Sequence, residues 1–291
     1  MSTVTTVRLA RGFVAEVRGV DLSADIDAEL ANELRALIAD NRVLVFKNQK
    51  LGPEDQIRLM RVFGNVLDEM HDGTWHSYVS TEKGSSVLPG RLLFHSDNHM
   101  TNEPLQFLSL YAAEVDRESA PTLYVDNVGA YRRMPAELRG TLDEIQTQQV
   151  SYYFYGQGGD RPSRSVTPDH EDAPRADHPA VWRHPVSGEP FVYITELHTH
   201  HVLGMPLERS DAFLEQVREV LYESDEMYEH HWAKGDLVIW DNRATQHARG
   251  PVPDAQLDPD AGPRSLRRVI VGTKDYEQQM QERAAGAAAM M

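Results

Sequence analysis

The chain of 291 residues contains no cysteine. That excludes disulfides, thiolate metal ligands and a cysteine nucleophile. It is also poor in positive charge: 29 Lys and Arg stand against 45 Asp and Glu, a formal net charge of −16. An acidic surface repels polyanions, so neither nucleic acid nor an anionic membrane surface is expected as a partner. No apolar run approaches the roughly 18 residues of a membrane-spanning helix. The opening MSTVTTVRLARGF lacks the apolar stretch of a secretory signal. The expectation is a cytoplasmic protein whose partner is a small molecule. With 41% hydrophobic residues the chain can bury a core. No repeat or linker divides it, so residues 1–291 read as one domain.

Apolar residues at helical spacing, with acids in the first turn, predict a helix over 27–40. A second runs over 52–64, with Pro53 at its start and Gly64 after its end. Further helices are expected at 135–145 and 209–223. Strands are expected at 13–22, 42–48, 105–115, 122–128, 148–157, 190–194, 236–242 and 267–273. Residues 157–180, rich in Gly, Pro, Asp and Arg, read as a long loop, an active-site lid or a mobile insertion. The tail from 277 reads as a frayed or helical end. A β-rich core with helices at the front and near the end is the economical reading.

What the chain does have is histidine, 13 in all. LLFHSDNHM (92–100) places His95 and Asp97 two apart, and on a strand such residues share a face. An imidazole and a carboxylate aimed at one point are two-thirds of a facial triad, the donor set that leaves positions open on iron(II). GDLVIWDNRATQHARG (235–250) supplies the best third ligand: a buried strand running into a polar turn that delivers His247. A capping or surface histidine is the plain alternative there, and spacing does not choose. His198, His200 and His201, and His230 and His231, cluster too. Neighbouring strand residues face opposite sides, so no second metal is expected.

HSD followed far downstream by WDNRATQH resembles the TauD/TfdA family of iron(II)- and 2-oxoglutarate-dependent dioxygenases. AEVRGVDLS (15–23) and residues 202–247 carry the likeness further, and it spans about residues 8–273. The resemblance implies an α+β fold with a double-stranded β-helix, or jelly roll, flanked by helices. It implies an enzyme using Fe(II), 2-oxoglutarate and O2, with His95, Asp97 and His247 on the metal. PRSLRRVIV matches the family's late arginine pattern, so Arg264 is expected to hold the distal carboxylate of 2-oxoglutarate. Arg268 then faces its C1 side or an acid on the substrate; a shifted register makes Arg268 the clamp instead. Thr122, in SAPTLYVDN, matches the threonine that hydrogen-bonds 2-oxoglutarate. Related halogenases lack the carboxylate ligand, so Asp97 implies hydroxylation, desaturation or another oxidation.

For the substrate, Asn98 and His99 are expected at the pocket mouth, with His198, His71, His76, Tyr153 and Tyr155 as further contacts. If Arg268 is free for substrate, the substrate carries an acid group, and a small anionic or amino-acid-like molecule is expected. A non-catalytic binder on the same scaffold and a zinc hydrolase are the readings from other classes. Homo-oligomers are common in the family, and no segment here sets their size.

Overall fold

The stretch Leu237–Asp241 is buried at all five positions. That demands cover on both faces and a neighbour along both edges. The structure, a computed structural model, describes residues 4–10, 12–70, 72–80, 92–116, 118–151, 175–253, 262–274 and 278, and it supplies all of these. The strands of the first half are β1 (Thr5–Ala10), β2 (Val14–Arg18), β3 (Val43–Phe46), β4 (Asn65–Val66), β5 (Ser77–Ser80), β6 (Leu92–His95), β7 (Phe107–Val115), β8 (Thr122–Asp126) and β9 (Gln146–Val150). Those of the second are β10 (Arg175–Pro179), β11 (Val181–Arg183), β12 (Pro190–Val192), β13 (Thr199–Val202), β14 (Tyr228–His230), β15 (Leu237–Asp241), β16 (Thr245–Arg249) and β17 (Arg264–Gly272). The helices are α1 (Ala28–Asn41), α2 (Pro53–Met60), α3 (Asn127–Arg133), α4 (Ala136–Leu142) and α5 (Leu207–Leu221).

The larger sheet runs β1-β2-β3-β15-β7-β17-β4, with β5 also paired to β17. The smaller runs β14-β8-β16-β6. From β6 to β8 the chain passes small sheet, large sheet, small sheet, and from β14 to β17 it alternates again. Two facing sheets fed alternately by one chain are a jelly roll. The expected α+β class with a jelly-roll core is the observed one.

Side chains along a strand point to alternate faces, and the core follows. Leu237 and Ile239 of β15 pack outward with Leu34 and Ile38 of α1 and Ile57 and Met60 of α2. Val238 and Trp240 pack inward against Tyr124 of β8. α1 starts where the Asp27 carboxylate accepts from the Leu30 N–H at 2.9 Å. It stops where Arg42 turns left-handed at φ 61°, and the Arg42 guanidinium donates to Asp126 at 2.9 Å. Among the described residues no helix is long and apolar enough to cross a membrane.

Several boundaries differ from expectation. The second helix ends at Met60, four residues before Gly64, because the chain turns there to start β4. The strand expected over 122–128 ends at Asp126, whose side chain accepts from Val128 N–H at 3.0 Å and so opens α3. Of the loop expected at 157–180, residues 175–179 form β10, paired with β9; residues 157–174 lie outside the described residues.

Candidate metal centre

His95 is the last residue of β6, and His247 sits in the middle of β16. The two strands are antiparallel neighbours, and His95 and His247 are direct cross-strand partners. Such partners bring their side chains side by side, and the two imidazole centroids are 4.2 Å apart. His247 therefore rides on a strand, not in the polar turn expected from its sequence; the turn is the preceding stretch, residues 242–244.

Asp97 needs a different explanation from strand alternation. β6 ends at His95, so Asp97 lies in the turn beyond it. Asn242 fixes it there. The Asn242 Oδ1 accepts from the Asp97 N–H at 2.9 Å, and its Nδ2 donates to the Asp97 carbonyl at 2.9 Å. A second donation reaches the Leu105 carbonyl at 3.1 Å. Ser96 Oγ donates to the Thr245 carbonyl at 3.0 Å, closing the seam between the two motifs. Asp241 in turn caps the 242–244 turn, accepting from Arg243 N–H at 3.0 Å and lying 2.7 Å from His184 Nε2. The WDN sequence thus builds the platform on which HSD is mounted.

The result is one compact donor set. His95 Nε2 is 3.5 Å from Asp97 Oδ1, and His247 Nε2 is 3.9 Å from Asp97 Oδ2. Ligand atoms of the three all lie within 4.8 Å of one another, the one such group among the described residues. His95 Nδ1 lies 2.8 Å from the Leu93 carbonyl. Donation to that carbonyl assigns the proton to Nδ1 and leaves the Nε2 lone pair for a metal. His247 is held by packing instead, with Trp240 at 4.9 Å and Tyr124 at 6.3 Å between ring centroids. Its Nδ1 is buried with no hydrogen-bond partner among the described residues.

Electrostatics keep the set in ligand form. Burial, and then the neighbouring His95, press the His247 pKa down to about 3, so this ring is neutral. Burial pushes the Asp97 carboxyl up, but its neighbours, the Arg268 guanidinium foremost, outweigh burial and hold the carboxyl well below the usual range. Two imidazoles and a carboxylate match the donors that iron(II) takes in a facial triad. Arg268 Nη2 donates to Asp97 Oδ2 at 2.9 Å, and the same guanidinium also pairs with Glu69.

Two predictions arise from this geometry. Replacing Asn242 by Ala frees the Asp97 peptide and should weaken Mn(II) binding about 10- to 100-fold, the usual cost of losing a supporting contact. Electron paramagnetic resonance of added Mn(II) reads the free fraction, and an unchanged affinity contradicts the role. The second concerns acid. His247 is depressed to about 3, and burial with the nearby His95 depresses His198 to about 4. Both are neutral when folded at pH 5, whereas the unfolded chain binds protons there, so stability falls as pH drops below about 6.5. The metal-free protein should lose about 2–4 kcal/mol between pH 7 and 5. Urea midpoints at the two pH values test this, and equal midpoints contradict it.

The remaining expected residues fall as follows. Thr122 is the first residue of β8, opposite Arg249 of β16, and its hydroxyl accepts from Trp232 Nε1 at 3.0 Å. Arg264 opens β17 and is 2% exposed. Burial and the nearby Arg249 charge lower its pKa to about 10. His198 is buried, its Nδ1 3.0 Å from the Val150 carbonyl and its ring 6.1 Å from that of His95. Asn98 is exposed in the turn after Asp97 at φ 57°, a left-handed conformation that asparagine tolerates. His99 is fully buried, not at a mouth, and stacks on Tyr193 at 3.8 Å. His76 is partly buried, with Nδ1 2.7 Å from the Thr74 carbonyl. His71, Tyr153 and Tyr155 lie outside the described residues.

Strand alternation predicts that His200 and His201 face opposite sides. A register shift between Thr199 and His201 defeats that alternation, and the two Nδ1 atoms are 2.7 Å apart. No third ligand joins them among the described residues. Asn242 and Glu69 had no assigned role in the sequence reading. Asn242 was visible inside WDNRATQH, whereas nothing in the sequence around Glu69 marks it.

A jelly roll in which two neighbouring strands carry two histidines, and the turn after one of them a carboxylate, defines a class, the metal-dependent oxygenases of this fold. The profile described as "Taurine catabolism dioxygenase TauD, TfdA family" matches residues 5–270, and the chain belongs to that family. It is 28% identical over 253 residues to an (S)-phenoxypropionate/alpha-ketoglutarate-dioxygenase of Sphingobium herbicidovorans, covering 82% of this chain and 86% of that one. It is 25% identical over 260 residues to the alpha-ketoglutarate-dependent 2,4-dichlorophenoxyacetate dioxygenase of Cupriavidus pinatubonensis, covering 81% and 88%. Among solved structures, AAD-2 in complex with Mn(II) and N-oxalylglycine superposes with a TM-score of 0.77 at 24% identity, covering 94% of this chain and 98% of that one.

Proposed function

We propose that this chain is an Fe(II)- and 2-oxoglutarate-dependent dioxygenase that hydroxylates a small anionic or amino-acid-like substrate, releasing succinate and CO2. One observation carries the reading: His95, Asp97 and His247, drawn from both ends of the small sheet's chain path, present their donor atoms within 4.8 Å of one another. Membership of the family and the dioxygenase relatives support it.

His95, Asp97 and His247 would hold the iron, a donor set that leaves coordination positions for other ligands. Bound iron supplies the activation of O2 that couples decarboxylation of 2-oxoglutarate to attack on a substrate C–H bond. The protein's share is placement. Arg264 takes the distal carboxylate of 2-oxoglutarate. It is a buried cation beside a second cation, Arg249, so an anion there relieves both burial and repulsion. Thr122 adds a hydroxyl whose oxygen is already oriented by Trp232. Arg268 holds Asp97 in its charged, metal-binding form, and the buried rings of His198 and His99 exclude water beside the ligands.

Anaerobic titration with Fe(II) and 2-oxoglutarate, read as a visible charge-transfer band, tests the cosubstrate site. Succinate release, screened over amino acids, sulfonates and acyl acids, tests turnover. A chain that develops no band and forms no succinate with any of them would refute the reading.

A further inference from the structure

We propose that Glu69 sets substrate specificity and that the substrate is a zwitterion, carrying both an ammonium and an acid group. This rests on the oxygenase reading above and deepens it.

One guanidinium, that of Arg268, bridges two carboxylates. It donates to Asp97 Oδ2 at 2.9 Å and pairs through its other terminal nitrogen with Glu69. Glu69 therefore sits one guanidinium's width from the carboxylate of the metal centre. Ser77 Oγ donates to Glu69 at 2.7 Å and fixes it in that position. Along the bridge the side chains are 19% exposed at Asp97, 17% at Arg268 and 31% at Glu69, so Glu69 is its most exposed member. The bridge therefore ends on a partly exposed carboxylate, whereas Arg264 is 2% exposed.

A ligand reaching the metal centre past this pair meets a balanced charge. A plain anion that takes Arg268 must displace Glu69 and strand a carboxylate beside Asp97. A plain cation that takes Glu69 is repelled by Arg268. A molecule with both groups exchanges partners without stranding either: its acid replaces Glu69 on Arg268, and its ammonium satisfies Glu69. Complementarity of this kind selects among ligands more than it adds raw affinity.

The test uses protein loaded with Mn(II) and N-oxalylglycine, titrated calorimetrically with matched pairs. Suitable pairs are 2-aminoethanesulfonate with ethanesulfonate, β-alanine with propanoate, and each larger amino acid with its deaminated acid. At least one zwitterion should bind about tenfold more tightly than its deaminated partner. Glu69→Gln should reduce that ratio to about twofold or less, and Glu69→Asp should keep most of it. A ratio does not depend on how much of a variant folds, so poor folding leaves the test intact. The proposal is overturned if no zwitterion is preferred, or if the preference survives Glu69→Gln. Failure of Mn(II) and N-oxalylglycine to bind at all sinks the oxygenase reading and this proposal together; loading without preference sinks this proposal alone.

Discussion

Replacing His247 by Ala removes the ligand furthest in sequence from the other two, and it should abolish metal-dependent binding of 2-oxoglutarate. His95 and Asp97 remain beside each other, but two donors of one short segment cannot replace three on one face. Mn(II) affinity should fall by more than the tenfold to hundredfold of a supporting contact, to about a thousandfold. The stability of the fold should suffer less than the site. His247 is a strand residue whose buried Nδ1 has no partner among the described residues, so Ala there removes a polar group with no hydrogen bond among them. The melting curve then serves as the control: a folded variant that binds no metal is the expected result. Retained Mn(II) affinity would contradict the assignment.

Arg264→Leu is expected to have the second-largest effect, and on the cosubstrate alone. Truncating one side of a buried Arg–carboxylate pair costs about 2–5 kcal/mol, so the dissociation constant of 2-oxoglutarate should rise about 30-fold or more. The wild-type protein should prefer 2-oxoglutarate strongly over 2-oxobutanoate, which lacks the distal carboxylate, and the variant should lose that preference. Mn(II) binding without cosubstrate should hold, since among the described residues it is Arg268, not Arg264, that pairs with Asp97. The shifted register makes the opposite forecast: Arg268→Leu would remove the preference for 2-oxoglutarate and Arg264→Leu would not. The contact between Arg268 and Asp97 adds a consequence that the sequence did not suggest. Loss of Arg268 should disturb metal binding as well as the substrate.

The candidate metal site was legible because its donors are compressed into two short motifs. HSD and WDNRATQH contain the three candidate ligands, the resemblance carried by those residues links them across the chain, and the fold brings them together. Strand alternation does not explain the meeting of His95 and Asp97: β6 ends at His95, and the Asn242 amide, supplied by the other motif, places Asp97. Hydrogen bonds between segments 145 residues apart leave no trace in local periodicity. The same applies to β16, where polar Thr245, Gln246 and His247 hide a buried strand behind a composition that reads as a turn. Runs such as LVIWD and RRVIVG were easy to identify, because apolar residues buried on both faces leave an unbroken pattern. The bridge from Asp97 through Arg268 to Glu69 is a tertiary arrangement of common residues, and no spacing announces it.

The most direct measurement is anomalous diffraction at the iron edge from anaerobic crystals loaded with Fe(II) and 2-oxoglutarate. One strong peak bonded to Nε2 of His95, Nε2 of His247 and a carboxylate oxygen of Asp97 is the predicted result. A peak elsewhere, or a His247 side chain turned away from the ion, would contradict the account.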